Sequence, residues 1–178
     1  MNKNNKILNS EELKLIKKNF KNKKIILCHG VFDLLHVGHV NYFKAAKKLG
    51  DILIVSVTND EFVDKGPGRP AFKINDRINF LNEITSVDYL FTNSELTSEK
   101  VILNLKPDFY CKGSDYSKTN ITLDLKLKKE LEALKKVKGK FKIIKQPSYS
   151  SSRYINMQGM QNFDLNCRGY IDSIKKQF

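Results

Sequence analysis

Two rhythms alternate along this chain. Short apolar runs recur at Lys24-Ile25-Ile26-Leu27-Cys28, Ile52-Leu53-Ile54-Val55-Ser56-Val57, Val87 to Phe91, Asp108-Phe109-Tyr110-Cys111 and Phe141 to Ile144. The second is apolar nearly throughout, as expected of a strand covered on both faces rather than half-solvated. Between the runs the spacing becomes helical. Ser10 is placed to N-cap a helix running to about Phe20, with Glu11 and Glu12 favourably set against its dipole. Val40, Phe43, Ala46 and Leu49 share a helix face until Gly50 stops it. Further helices are expected from near Asn75, from Ser98 to Leu105, and from Leu123 to Lys138.

Strands alternating with helices predict an α/β architecture: a doubly wound, Rossmann-like parallel sheet of about five strands with helices on both faces. The expected organisation is a helical extension over residues 1–22, one domain over 23–156 and a tail over 157–178. Such sheets bind ligands beyond the carboxyl ends of their strands, where strand order reverses. Four chemically loaded segments fall there: His29 to His39 after the first run, Thr58 to Arg69 after the second, Lys112 to Tyr116 after the fourth, and Ser150-Ser151-Ser152 after the fifth. A glycine-containing turn between a strand and a helix presents backbone N–H groups to phosphate, and here His36 and His39 stand at that helix start. The first expectation is therefore a phosphate site.

Composition narrows the partners. The chain has 178 residues and a net charge of +13. Residues 1–24 carry eight lysines against Glu11 and Glu12, and residues 124–145 carry nine against Asp124, Glu130 and Glu132, so each segment is +6. Lysine-rich faces without an arginine-and-aromatic groove predict no nucleic-acid partner. No apolar stretch is long enough to span a bilayer and no signal core follows the N-terminus, which predicts a cytoplasmic protein with no membrane partner. Cys28, Cys111 and Cys167 are odd in number and lack a C-x-x-C spacing, so reduced thiols are expected.

His36-Val37-Gly38-His39, following Gly30-Val31-Phe32-Asp33, resembles the His-x-Gly-His signature of the cytidylyltransferase-like nucleotidyltransferases. Lys65-Gly66-Pro67-Gly68-Arg69-Pro70, Asn75-Asp76-Arg77 and Lys112-Gly113-Ser114-Asp115-Tyr116 resemble the adenylyltransferase domain of ADP-heptose synthase, while Phe32-Asp33-Leu34-Leu35-His36 is equally similar to glycerol-3-phosphate cytidylyltransferase. The resemblance covers about residues 20–156. It implies transfer of a nucleotidyl group from a nucleoside triphosphate to a sugar or polyol phosphate, with release of pyrophosphate. By the same resemblance His36, His39 and Lys65 are catalytic. Gly30, Val31, Phe32, Gly38, Lys112, Gly113, Asp115, Tyr149, Ser150, Ser151 and Ser152 bind the nucleotide, and Asp33, Arg69 and Arg77 bind the acceptor or phosphate. It further implies Mg²⁺ carried on the triphosphate, a product destined for surface glycan, a homodimer, and a place within a longer chain bearing a sugar kinase domain.

CTP is the expected donor and ATP the alternative. Lys145-Gln146-Pro147-Ser148-Tyr149-Ser150-Ser151 lacks the arginine and the Gly-Ile pair of the polyol-phosphate cytidylyltransferases, and Thr85 replaces an arginine frequent there. Other readings stay open for single residues. His29, His36 and His39 are a possible zinc set, Arg77 has Asp76 and Glu83 as ion-pair candidates, Asp33 and the serines are also ordinary turn and helix caps, and the whole chain is compatible with a noncatalytic nucleotide-binding module.

Overall fold

The computed structural model describes residues 6–66, 68–117 and 124–145. Six strands form one parallel sheet: β1 (Ile7–Leu8), β2 (Ile25–Gly30), β3 (Ile52–Thr58), β4 (Tyr89–Asn93), β5 (Phe109–Gly113) and β6 (Lys140–Ile144). Their spatial order is β1-β4-β3-β2-β5-β6. The chain steps outward from β2 through β3 to β4, then returns to the other side of β2 for β5. The order thus reverses between β2 and β5, whose register pairs Leu27 with Tyr110 and Cys28 with Cys111. Two residues further on both strands end, at Gly30 and Gly113.

The helices are α1 (Ser10–Asn19), α2 (Val37–Lys47), α3 (Ile74–Asn82), α4 (Glu99–Leu105) and α5 (Leu125–Lys136). Side-chain alternation along the strands splits the core into two layers. Ile26, Cys28, Val55 and Val57 face α2 and α3, packing on Tyr42, Phe43, Ala46, Ile78 and Leu81. Ile25, Leu27, Ile54 and Tyr110 face α1, α4 and α5, packing on Leu13, Ile16, Val101, Ile102, Leu105 and Leu134. The central strands β2 and β3 are buried on both faces, which accounts for their unbroken apolar runs.

Three sequence expectations change. A sixth strand, β1, pairs Ile7 with Leu90 and Leu8 with Phe91 at the sheet edge, and two residues are too few to leave a periodic signal. The cap of α1 is Asn9 rather than Ser10: its Oδ1 accepts from the N–H groups of Glu11 (3.0 Å) and Glu12 (2.9 Å), and Glu12 returns an acceptor to the Asn9 N–H at 2.9 Å. This reciprocal capping box starts one residue earlier than Ser10 implied. α2 ends at Lys47, short of Gly50, and buries Tyr42 beside Phe43 and Ala46, with Val40 only half-buried.

Candidate active site

The carboxyl ends of β2, β3 and β5 supply the site. β2 leads through Val31 to Phe32, whose φ of 51° lies in the left-handed region and turns the chain back over its own strand. The Phe32 ring then folds against Gly30, where a Cβ would stand 3.1 Å from it, so a side chain at Gly30 would displace the ring. Phe32 also packs on Phe43 (5.1 Å between centroids) and meets the His39 ring edge-on at 5.8 Å. The turn is thus held by aromatic packing, and it presents the start of α2 at the sheet edge.

His36 is the N-cap of α2. Its Nδ1 accepts from the Gly38 N–H at 3.1 Å, while its own N–H is directed at His39 Nδ1 at 3.4 Å. The rings lie 4.0 Å apart between centroids. Because both Nδ1 atoms act as acceptors for backbone N–H groups, both rings carry their proton on Nε2. Burial holds the His36 imidazole below its usual pKa. His39 is pushed down to about 4 by burial, then by His36 and the positive charge of Lys65. At neutral pH the helix start therefore offers two neutral imidazole donors with Lys65 electrostatically close. Neutral donors ordered by backbone bonds suit charge that develops during a reaction, because they need no reorganisation to meet it.

The loops around this pair are tied together from below. Asp33 is buried and its carboxylate accepts from Arg69 Nε (2.6 Å) and from the N–H groups of Ala71 and Phe72 (both 2.9 Å). Burial alone would raise the Asp33 pKa, but the Phe72 and Ala71 N–H groups and Arg69 outweigh it, and the group lies below its ordinary value. Arg69 is buried with Asp33, and its Nη1 is a buried donor without a partner. Arg77 is wholly buried and spends its guanidinium on three loops: Nη1 donates to Val31 O (2.5 Å), Nη2 to Asp60 Oδ1 (2.6 Å) and Nε to Phe72 O (3.0 Å). Its ion-pair partner is Asp60 rather than Asp76 or Glu83, which corrects the expectation from helix spacing. Placed so, Arg77 braces the walls of the site.

Lys112 is likewise drawn inward. Its Nζ stands 3.2 Å from Glu130 Oε2, and both side chains are buried. Glu130 also accepts from Tyr110 Oη (2.8 Å) and the Ser98 N–H (3.0 Å). Burial pushes Glu130 up, but Lys112, His29 and these hydrogen bonds bring it below its normal value. His29, on the same face, meets Ser56 Oγ at 3.2 Å and is driven down to about 3 by burial and then by Lys112. Glu130 escaped sequence reasoning inside a lysine-rich helix. Its one signal is position, since it falls on the buried stripe of Leu127, Ala133 and Leu134. A Cβ built on Gly113 would meet no described atom within 4 Å. Among the described residues no three His, Cys, Asp or Glu side chains gather as a metal site. The Asp115 side chain and Tyr149, Ser150, Ser151 and Ser152 lie outside the described structure.

The model of the cytidylyltransferase-like family matches residues 27–157, the whole of this sheet edge included. The chain belongs to that family. This cytidylyltransferase-like domain is 39% identical over 134 residues to the bifunctional protein HldE of Nitratiruptor, covering 73% of the chain and 29% of that protein. To the bifunctional protein HldE of Desulfatibacillum aliphaticivorans it is 41% identical over 110 residues, 60% of the chain and 22% of the relative. The chain thus spans less than a third of these relatives. Among solved structures, the lipopolysaccharide core biosynthesis protein of Thermoplasma volcanium aligns along its full length with 72% of the chain, at 30% identity and a TM-score of 0.56. The pantoate-β-alanine ligase of Francisella tularensis, at 18% identity and a TM-score of 0.56, shares the fold; 85% of the chain aligns with 73% of it. Among the described residues no helix is long and apolar enough to cross a membrane.

Proposed function

We propose that this domain joins a nucleoside monophosphate to the phosphate of a sugar phosphate, releasing pyrophosphate. The observation that carries the reading is the pair of Nε2–H imidazoles fixed at the start of α2 beside the Lys65 charge. A phosphate monoester has a second pKa near 6, so at neutral pH the acceptor oxygen is already a nucleophile and needs no general base. Attack at the α-phosphorus forms the new phosphorus–oxygen bond as the bond to the pyrophosphate leaving group breaks. The electron pair departs with pyrophosphate, and the growing negative charge falls on oxygens that His36, His39 and Lys65 are placed to meet.

Mg²⁺ enters with the triphosphate as part of the substrate, a role that asks for few protein carboxylates. Asp33 is already committed to Arg69 and two backbone N–H groups. Of the two donors, ATP with a heptose phosphate is supported by the similarity to bifunctional HldE proteins and to a lipopolysaccharide core biosynthesis protein. CTP is favoured by the Phe32-to-His36 segment. A kinase-type reaction must supply such an acceptor, in accord with relatives that are bifunctional.

The test is a matrix of MgATP and MgCTP against heptose 1-phosphates, hexose 1-phosphates and glycerol 3-phosphate, followed by pyrophosphate release and product mass. A nucleotide–sugar diphosphate product with ATP and a heptose 1-phosphate is expected. Tight nucleotide binding with no product from any pairing would instead make this a noncatalytic nucleotide module.

A further inference from the structure

The turn that follows β2 places an aromatic residue where the backbone favours none. Phe32 has a φ of 51°, in the left-handed region that a glycine enters freely and a bulky side chain enters at a cost. Such a conformation persists only where the surrounding structure over-determines it. Here the surrounding contacts are those of the ring. It is 8% exposed and belongs to the core layer of α2 and α3. Its far end lies over Gly30, whose missing side chain leaves the room, since a Cβ there would stand 3.1 Å from Phe32 Cζ. Phe43 lies 5.1 Å away between centroids, and the His39 imidazole meets the ring edge-on at 5.8 Å with 78° between the planes.

His39 has use for such a neighbour. The bond from the His36 N–H to His39 Nδ1 is 3.4 Å long, and a contact of that length orients an imidazole only weakly. Edge-to-face packing against a ring that is itself held by Gly30 and Phe43 adds a second, rigid constraint. The same apolar wall keeps water from one flank of the imidazole, in keeping with burial as the largest cause of its lowered pKa.

We propose that Phe32 is a positioning residue, whose ring, set by the left-handed turn, fixes the orientation of the His39 imidazole. The proposal rests on the reading that His39 meets charge developing in nucleotidyl transfer. It gives the strained turn a purpose: this backbone places one ring where it reaches Gly30, Phe43 and His39 together, which the relaxed alternative, a glycine, could not do.

The experiment is a double-mutant cycle of Phe32→Leu with His39→Ala, read as single-turnover pyrophosphate release with the most productive donor and acceptor. Phe32→Leu keeps an apolar side chain and removes the ring. It should lower the rate about tenfold in the otherwise unaltered protein and change the residual rate of His39→Ala by less than about twofold, since misplacing a donor matters only while the donor is present. The second readout needs no acceptor. In NMR titrations the His39 pKa, about 4 in the unaltered protein, should rise toward 6.5 in Phe32→Leu as water reaches the imidazole. Gly30→Ala pushes the Phe32 ring from the other side, should move the His39 titration in the same direction, and serves if the leucine variant does not fold. An equal loss of rate in both backgrounds makes Phe32 a residue of the turn alone and overturns the proposal. An unchanged rate in folded Phe32→Leu, or a His39 titration unmoved in whichever variant folds, overturns it as well. If His39→Ala releases pyrophosphate at the full rate while Phe32→Leu still shifts the His39 titration, the catalytic reading of His39 fails and the orienting contact stands.

Discussion

A histidine is an uncommon N-cap, since Ser, Thr, Asp and Asn reach the same N–H groups with shorter side chains. At His36 the longer ring leaves Nε2 projecting beyond the capping bond, so one residue both starts the helix and offers a donor. His39 repeats the arrangement from the first turn. The same burial that keeps His39 and His29 neutral makes the fold sensitive to acid. Their folded pKa values, about 4 and about 3, lie below the ordinary 6.5, so folding favours the neutral forms. Above pH 6.5 neither state binds these protons, and their contribution to stability is complete. Below it the unfolded chain binds them and the folded one does not, so stability falls as the pH drops toward 4. Urea midpoints measured from pH 7 to 4 should decline, with His29 accounting for up to roughly 1.4 kcal/mol per pH unit. His29→Asn should flatten that slope, and an unchanged slope would show that His29 titrates normally in the folded state.

At the scale of elements, the site depends on loops that bury charges to hold their shape. Arg77 draws Val31, Asp60 and Phe72 onto one guanidinium, and Asp33 gathers Arg69, Ala71 and Phe72 onto one carboxylate. Arg77→Met should therefore destabilise the domain by about 3 kcal/mol or more in urea titrations, because it leaves Asp60 and two carbonyls without their donor. Arg77→Lys should recover little of the loss, since an ammonium lacks the planar fork that serves three acceptors. Wild-type stability in both would show the bonds to be dispensable. These long-range pairings were the part of the site that sequence spacing did not reveal: Arg77 and Asp60 are 17 residues apart, and helix periodicity points only to partners within the same helix. The strands were more readable. Burial on both faces leaves a continuous apolar run at β3, whereas β1 pairs only two residues and leaves none. Glu130 was hidden by its lysine neighbours although its place on the buried stripe marks it.

Across the whole domain, the fold sorts the charge that composition only counts. Both lysine-rich helices, α1 and α5, pack on the sheet face shared with α4, while α2 packs on the other. Their apolar stripes enter the core, and Lys14, Lys18, Lys128, Lys129, Lys135 and Lys136 remain exposed on the solvent side. α1 and α5 together carry eight lysines against four glutamates, so this helical layer supplies +4 of the net charge of +13. Within the site the cations Lys112, Arg69 and Arg77 are buried beside Glu130, Asp33 and Asp60. The imidazole pair at the helix start, with the Lys65 charge near His39, lies at the same sheet edge. The most direct measurement is pyrophosphate release under single-turnover conditions by the wild-type domain and by His36→Ala and His39→Ala, with folding checked by urea titration. If the imidazole pair stabilises the developing charge, rates fall on the order of 10² to 10³-fold in both folded variants, as for loss of a preorganised donor. Folded variants that release pyrophosphate at the wild-type rate would contradict it.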